Sequence, residues 1–470
     1  MTNIRYVCLS DLHLGEEDSL LTDPEDCTRP SPVLQRLAEC LAEVLRHNPP
    51  GAPKPSLILN GDVLEFALCP VQQALTAFEP FLRSVMAPNS ELFGEIIYMP
   101  GNHDHHMWQV AREAQYVSYL GRLAPNEPIE APWDTTKVMM NLAGEDRLVN
   151  GTATMIAHRL PHLQDRRFEI LTAYPNFGVQ NGSGRAVVFH HGHFIEDAYH
   201  FFSTLASLLF PGQGLPKDVY TLEKENSAWI DFLWSTLGSC GRIGGDVETI
   251  YDSSKDPGSL QRITDTLAES IASNYPVPKW APRLLREWTL KAALHAAAGS
   301  ITTGLERSQT EGNTPLSPEA ARGLRWYLEG LLRQQFETEK VPLPESMSFV
   351  LGHTHKPFVE CWDRTRILNT GGWVVDAPQL QPVLGAAAVL VGEDLSAGSI
   401  RWYNEGRYTI SVEEPIAAGA AHSAFFDEIS ALLQEHTQPW KAFGEIAKTE
   451  VELRVTKFAN QLKRKAARAT

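Results

Sequence analysis

Short apolar runs recur along the chain, and in its first third they alternate with amphipathic stretches. Apolar runs of a few residues that are bounded by polar or glycine-containing segments are typical of buried strands. The spacing of apolar residues near Val33–His47 and Gln73–Met86 is typical of helices instead. This alternation predicts an α/β fold. The runs that bear on function are Tyr6–Leu9, Leu57–Asn60, Glu95–Met99, Ala186–Phe189 and Met347–Leu351.

The pattern becomes mostly helical in residues 195–345. We predict that this segment is a large insertion into an α/β core formed by residues 1–194 and 346–412, and that residues 413–470 form a C-terminal helical extension. A hairpin is predicted from Phe168–Tyr174 and Arg185–His190, around the turn residues between them. The helices predicted in the insertion are Ala198–Leu209, Leu222–Leu237, Leu260–Asn274, Arg283–Ala298 and Pro318–Glu337, and the closing strands are Val359–Trp362, Arg366–Asn369, Ala386–Val391 and Ile400–Tyr403.

Each of the five apolar runs is followed by side chains that can bind a metal ion. In extended chain, residues i and i+2 point the same way, so two such residues after a strand converge on one point. The ends of strands are also where α/β sheets place their sites. The candidate ligands are Asp11, His13, Asp62, Asn102, His191, His353 and His355.

The chemistry of this set points to a catalytic metal centre. Carboxylate, amide oxygen and imidazole together suit divalent ions such as Mn²⁺, Fe²⁺, Co²⁺ or Zn²⁺. A structural zinc site would favour thiolates and closed tetrahedral coordination. One shared carboxylate can bridge two ions about 3.5–4 Å apart, which is an arrangement that hydrolyses phosphate esters.

Each motif is weak when it is taken alone. Asp-Leu-His is commonly a turn or a helix cap, Gly-Asp is ordinary turn chemistry, and His190–His193 reads equally well as a histidine-rich loop. Gly101–Asp104 and Gly352–His355 are rarer strings. Because every motif follows an apolar run and all keep one order, the set argues for a common site.

The order D-x-H, G-D, G-N-H-D, H and G-H-x-H resembles that of the calcineurin-like metallophosphoesterase superfamily. The resemblance covers about residues 4–105, 185–195 and 345–375, with long unmatched segments between them. It implies a four-layer α/β/β/α sandwich and two divalent metal ions, with Mn²⁺ expected first and Fe²⁺, Zn²⁺, Co²⁺ or Ni²⁺ as alternatives. The implied ligands of one ion are Asp11, His13 and His355, those of the other are Asn102, His191 and His353, and Asp62 bridges both.

The resemblance also implies catalytic roles. A metal-bridging hydroxide would attack a phosphodiester or phosphomonoester, and His103 would assist the leaving group while Asp104 orients His103. His193 is a further candidate for binding the substrate.

Individual residues separate the branches of this superfamily. Protein serine/threonine phosphatases carry G-N-H-E and an arginine soon after the Gly-Asp motif, and purple acid phosphatases carry a tyrosine where this chain has Glu65. The UDP-2,3-diacylglucosamine pyrophosphohydrolases are more similar, through Asn60–Phe66 and Gly371–Trp373, but they typically have arginine in place of His103. A histidine suits an alcohol leaving group, which needs a proton. A UDP-sugar-lipid pyrophosphohydrolase, a nuclease and a non-catalytic metal-binding scaffold stay open as alternatives.

Composition limits the expected binding partners and cellular compartment of the protein. The formal net charge of −16 over 470 residues gives no strong signal for nucleic-acid binding. The six cysteines are scattered without a C-x-x-C pair, and the amino terminus shows no secretory signal. We therefore expect a reduced, cytoplasmic protein.

The insertion is expected to cap the active site. It lies between His191 and His353, which must meet at one ion if the resemblance holds, so both of its ends start at the site. A side domain that supports oligomerisation is the alternative. The apolar segment Phe201–Phe210 would line a channel for a hydrophobic substrate or touch a membrane, or else fill the core of the cap. The basic chain from Arg454 onward is a solvated helix end or a second point of peripheral membrane contact.

Overall fold

The computed structural model describes residues 2–239 and 314–469, apart from residues 211, 213, 376 and 418. The helices predicted at Leu260–Asn274 and Arg283–Ala298 lie outside the described residues. The described strands are β1 (Ile4–Leu9), β2 (Thr22–Asp23), β3 (Asp26–Pro30), β4 (Ser56–Asn60), β5 (Glu95–Met99), β6 (Ile170–Thr172), β7 (Asn176–Gln180), β8 (Arg185–His190), β9 (Ser346–Leu351), β10 (Phe358–Trp362), β11 (Thr365–Asn369), β12 (Gly385–Gly392), β13 (Ala397–Asn404) and β14 (Ser411–Glu413).

The helices divide between the amino-terminal half, the insertion and the carboxyl-terminal extension. Asp231–Thr236 and Tyr327–Leu332 are π-helical turns that continue the helices before them, and His193–Ile195, Asp197–His200 and Leu237–Ser239 are short 3₁₀ turns. The α-helices are α1 (Pro32–Leu45), α2 (Val71–Val85), α3 (His106–Leu120), α4 (Gly151–Ala157), α5 (Pro161–Asp165), α6 (Phe201–Leu209), α7 (Val219–Ile230), α8 (Pro318–Trp326), α9 (Arg333–Thr338), α10 (Ala424–Glu435) and α11 (Thr437–Ala469).

Two sheets carry the core. The larger has seven strands in the order β14-β13-β12-β1-β4-β5-β6, and β1, β4, β5 and β6 run parallel. The smaller has five strands in the order β10-β11-β9-β8-β7, with β8, β9 and β11 parallel. Strand β4 is buried along its whole length and β1 over its second half, Val7–Leu9, as parallel strands covered on two sides are.

The two sheets pack face to face, with helices on both outer faces. Residues of the larger sheet such as Cys8 and Ile58 share one apolar cluster with Phe189 and Val350 of the smaller sheet. Helices α1, α2, α10 and α11 cover the outer face of the larger sheet. Helices α8 and α9 and the π-turn between them cover the smaller one, where the Tyr327 hydroxyl donates to Asn176 Oδ1 at 3.0 Å. The predicted α/β/β/α sandwich is confirmed.

Two features of the fold bear on the sequence expectations. Residues 318–338, which the apolar pattern assigns to the insertion, supply the helices that cover the smaller sheet. The predicted hairpin is wrong in its first strand, because β8 pairs with β7 while Ile170–Thr172 joins the larger sheet beside β5. The apolar pattern predicted one strand, Phe168–Tyr174, before β8. The structure has two short strands there, β6 and β7, and the second of them is the partner of β8.

The carboxyl-terminal extension packs on the core. Helix α11 contributes Phe443 and Val451 to the main apolar cluster. The fully buried guanidinium of Arg454 donates to the backbone carbonyl of Ser19 at 2.7 Å and to that of Thr22 at 2.6 Å. Arg454, the first residue of the basic segment, is therefore buried in the fold and is not part of a solvated helix end. None of the helices in the described part of the chain is long and apolar enough to cross a membrane.

Parallel pairing brings the candidate site together. Strands β1, β4 and β5 are neighbours in the larger sheet, and β8 and β9 are neighbours in the smaller sheet. Their carboxyl ends meet at one edge of the sandwich, because parallel strands end on the same side of a sheet. All of the predicted ligands follow these five strands.

Candidate metal centre

The loops after the five strands place all seven candidate ligands at one site. Asn102 joins through its side-chain oxygen, which lies 3.1 Å from Nε2 of His191. The other six form two groups, and within each group the ligand atoms lie within 4.8 Å of one another. The groups are Asp11, His13 and His355, and Asp62, His191 and His353.

Asp62 lies between the two groups. Its Oδ2 is 3.0 Å from Nε2 of His191 and 4.0 Å from Nε2 of His13. One carboxylate therefore faces imidazoles of both groups, which is the geometry a bridging ligand requires.

Unsatisfied polar atoms indicate that the site fits a cation. Nε2 of His13 is buried and has no hydrogen-bond partner among the described residues, while Nδ1 of the same ring lies 2.7 Å from Glu65. Burying an unpaired polar atom is unfavourable unless a ligand satisfies it. Because a metal-binding histidine usually engages its second nitrogen with a carboxylate or carbonyl, His13 has the arrangement of a metal ligand. His191 has it too, since its Nδ1 lies 3.0 Å from the backbone oxygen of Asn60.

Backbone strain is concentrated at these ligands. Asp11, His13, Asp62, His353 and His355 have φ values of 52°, 44°, 49°, 70° and 54°. Left-handed backbone costs a non-glycine residue about 1–2 kcal/mol. Strain of this kind persists where the surrounding structure holds it, and it clusters at functional sites. The cost is offset by the strand and loop contacts on either side of each ligand.

Two motif glycines are required by close approach. A Cβ at Gly101 would overlap the carboxylate of Asp62, and a Cβ at Gly352 would overlap the side chains of Asp11 and Ser10. The glycines of G-N-H-D and G-H-x-H therefore make room for ligands that come from other strands. This explains why the ligand strings contain glycine at these positions.

Glu65 is a residue of the site that the sequence pattern did not identify. Its buried carboxylate lies 2.7 Å from Nδ1 of His13 and 2.9 Å from Nδ1 of His103, and it also accepts from the backbone of Ala67 and Leu68 at 2.8 Å. A single carboxylate thus holds a metal-ligand candidate and the candidate proton donor. The available signal was an acidic residue three positions after Asp62.

The electrostatics of this triad follow from the contacts. Burial would raise the pKa of Glu65, but the imidazoles of His103 and His13 outweigh it and lower that pKa to about 2. Burial would lower the pKa of His103, but the carboxylates of Glu65 and Asp62 raise it to about 9. Glu65 is therefore ionised at neutral pH and favours the protonated form of His103.

The carboxylate of Asp104 contacts backbone nitrogens, although the sequence led us to expect it beside the ring of His103. Its carboxylate accepts from the backbone nitrogens of Gly101 at 2.6 Å and Val63 at 2.9 Å, and from the hydroxyl of Tyr98. The carboxylate on the ring of His103 belongs to Glu65. Asp104 instead ties the loop after β5 to the loop after β4, because it bonds backbone from both.

His193 lies beneath the site. Its side chain has no exposed surface, and its Nε2 lies 3.2 Å from the hydroxyl of Tyr174. Its ring stacks on His190 with centroids 5.7 Å apart. A side chain enclosed in this way does not reach a substrate, so the position does not support the predicted binding role.

Two aromatic residues of the insertion flank the candidate ligands. The ring of Tyr199 lies 5.2 Å from that of His353 and 5.3 Å from that of Trp234, between centroids. Trp234 in turn lies 6.4 Å from His103. By contrast, Phe201 of the predicted channel segment stacks on Trp229 at 4.6 Å. Within the described residues, the aromatic side of the site is formed by Tyr199 and Trp234, and Phe201 fills the core of the insertion.

Comparison with known proteins does not assign this protein to a family. No family model and no curated protein matches the chain. Similar solved structures include the phosphopantetheinyl hydrolase PptH from Mycobacterium tuberculosis, at 13% identity over 79% of this chain and 90% of that one, with a TM-score of 0.23. They also include a Staphylococcus aureus protein provisionally assigned as a 5′-nucleotidase, at 10% identity over 92% of this chain and 58% of that one, with a TM-score of 0.23.

Proposed function

We propose that this protein is a phosphoesterase that depends on two divalent metal ions. The observation that carries the proposal is the convergence of two ligand groups on one carboxylate, that of Asp62. Beside them stands His103, whose Nδ1 is engaged by Glu65. Metal ligands alone would suit a binding protein, but an oriented imidazole next to them suits catalysis.

The residues have distinct tasks in this proposal. The group around His13 would hold one ion and the group around His191 the other, with Asp62 shared between them. Ions bound in this way would activate a water molecule and neutralise the charge on the phosphoryl oxygens. Mn²⁺ is the first candidate, with Fe²⁺, Zn²⁺, Co²⁺ and Ni²⁺ as alternatives, because oxygen and imidazole donors suit these ions.

His103 would donate a proton to the departing oxygen. Glu65 engages Nδ1 of the ring, so Nε2 is the atom that would face the substrate. An alcohol needs that proton to leave, whereas a nucleotide leaves as a stable phosphate. We therefore favour an ester of phosphate with an alcohol over the pyrophosphate of a UDP-sugar lipid.

The surroundings of the site favour a leaving group with an apolar part. Tyr199 and Trp234 flank His353 and His103, and aromatic rings bind apolar groups through their faces. The formal net charge of −16 makes a polynucleotide a poorer substrate. In this proposal residues 195–239 act as part of a cap over the site.

The proposal is tested with a series of substrates that differ in leaving group. His103→Ala should keep two metal ions per chain and lose about 10²–10⁴-fold in kcat on alkyl esters. The loss should be smaller for p-nitrophenyl esters, whose leaving group needs no proton. His158→Ala removes a half-buried imidazole bonded to the Phe168 carbonyl at 2.7 Å, and it should leave both rates unchanged.

Two outcomes would overturn parts of the proposal. Equal losses for both types of leaving group would remove His103 from proton transfer. A fully metal-loaded protein that hydrolyses no phosphomonoester, phosphodiester or nucleotide would point to the metal-binding scaffold instead.

A further inference from the structure

Four buried polar side chains connect the insertion with two ligand-bearing loops. Glu223 of α7 places Oε1 2.9 Å from Nε2 of His105, and its Oε2 accepts from the hydroxyl of Tyr174 at 2.9 Å. The same hydroxyl lies 3.2 Å from Nε2 of His193. None of the four side chains has exposed surface. Together they form a continuous polar bridge, which consists of His105, Glu223, Tyr174 and His193.

The ends of this bridge lie in two loops that carry candidate ligands. His105 follows directly after Asn102, His103 and Asp104 in the loop after β5. His193 stands two residues after His191 in the loop after β8. Glu223 therefore joins the loops that carry Asn102 and His191, whose side chains approach to 3.1 Å.

A second contact holds the same loop from the insertion. The Ser235 hydroxyl accepts from the backbone nitrogen of His106 at 2.8 Å, and Asp231 Oδ1 lies 3.2 Å from Nδ1 of His106. Both partners belong to the π-helical turn that follows α7. Such turns recur at functional sites. Residues of the insertion thus form hydrogen bonds with both His105 and His106.

The burial of the Glu223 side chain requires an explanation in terms of free energy. Removing a charge from water is costly, and apolar packing of the same volume would often stabilise a protein as well or better. Buried ionic groups are retained where they specify one arrangement of the elements they join. Both oxygens of Glu223 are used, and each contact leads to a ligand loop.

We propose that Glu223 is a positioning residue of the metal centre, so that the insertion helps to build the site. This inference rests on the proposed function. Glu223 would act through His105 and Tyr174. These two residues would hold the loop of Asn102 and the loop of His191 in place, so that both side chains could bind the same metal ion. Groups that hold metal ligands in place typically change metal affinity about 10–100-fold when they are removed.

The test replaces Glu223 with glutamine, which keeps its volume and packing. The amide can accept on one side only, so the hydrogen bond on the other side must be lost or reversed. E223Q should bind Mn²⁺ about 10-fold more weakly and lower kcat about 10-fold for a small ester while KM changes little. It should also alter the visible absorption of the Co²⁺-loaded protein. In the metal-free protein, amides of residues 101–106 and 191–195 should exchange hydrogen faster.

Asn226 provides a matched control on the same helix. It is equally buried, and its side chain accepts from the backbone of Phe202 at 3.0 Å and donates to the Ser203 hydroxyl at 2.7 Å. N226A should lower the free energy of unfolding but leave Co²⁺ absorption and kcat unchanged. Tyr174→Phe removes only the hydroxyl, and it should reproduce part of the E223Q effect while being non-additive with it.

The outcomes separate this inference from the proposed function. If E223Q and Tyr174→Phe match N226A in metal affinity, Co²⁺ absorption and loop exchange, the bridge only stabilises the insertion and the inference is overturned. If E223Q misfolds, Tyr174→Phe decides by the same measurements. If the wild-type protein binds metal without hydrolysing any ester, the proposed function fails, while metal affinity and exchange still test Glu223.

Discussion

Replacement of Glu65 by glutamine is the sharpest test of how the site is built. The carboxylate serves four donors, namely the rings of His13 and His103 and the backbone nitrogens of Ala67 and Leu68. Glutamine keeps the shape but has one acceptor oxygen, and its NH₂ group would face donors. At least one imidazole must lose its partner or change its tautomer, and both imidazoles lose the negative charge that holds the proton on Nδ1.

The magnitude follows from what each imidazole does. Loss of an oriented proton donor costs about 10²–10⁴-fold in rate, and loss of support for a metal ligand costs about 10–100-fold in affinity. Because the rings remain packed in E65Q, we expect the lower part of both ranges. That is a fall in kcat of about 10²–10³-fold at saturating Mn²⁺, or about 3–4 kcal/mol in the activation free energy, with Mn²⁺ binding about 10-fold weaker.

The assay measures kcat for an alkyl ester at increasing Mn²⁺ concentration. It compares E65Q with the wild-type protein, and the double variant E65Q/H103A with H103A alone. If Glu65 acts on the rate through His103, E65Q should cost little further kcat at saturating metal once His103 is gone. Glu43 on α1 is also mostly buried, and it pairs with Arg46 at 2.8 Å. E43Q should therefore leave turnover and metal affinity unchanged. Wild-type kcat in E65Q, or full additivity with H103A, would refute the reasoning.

Three further predictions concern the metals, the pH dependence of stability and the C-terminal helix. Asp62→Ala should lose both ions and essentially all activity; metal analysis of the purified variant checks this, and wild-type turnover after Mn²⁺ addition would contradict it. Burial lowers the pKa of His200 to about 4 from 6.5 although Asp197 opposes the shift, so only the unfolded chain binds this proton between those values. Stability should fall as the pH drops below 6.5, by about 2 kcal/mol at pH 5, and urea unfolding should show a smaller fall in His200→Gln. Arg454→Met should destabilise by about 3 kcal/mol in the same assay because the carbonyls of Ser19 and Thr22 lose their donor; a change below about 0.5 kcal/mol would show that water replaces the guanidinium.

Local features of the chain were enough to identify the candidate ligands and the ends of the strands before them. His353 and His355 illustrate why, since both the apolar run and the G-H-x-H string are local properties of the chain. The extended backbone expected for such pairs was wrong, because both residues have positive φ, and they join different ligand groups. Each candidate ligand could be found without knowing which strands are neighbours. The α/β/β/α architecture also followed from the chain, through the resemblance carried by the same residues.

The contacts between side chains from different loops could not be predicted from the chain alone. Asp104 is next to His103 in the chain, yet the ring contacts Glu65, because the turn after Gly101 aims Asp104 at the backbone of the neighbouring loop. Tyr199 and Trp234 lie beside His353 and His103, although no periodicity in the sequence marks these two residues.

The pairing of strands and layers was also a tertiary decision. Ile170–Thr172 and Asn176–Gln180 lie close together in the chain but belong to different sheets, and residues 318–338 complete the outer layer of the smaller sheet. Apolar periodicity shows that a face is buried, not what buries it. Because burial energy depends on the area removed from water rather than on the identity of the partner, only the folded chain selects that partner.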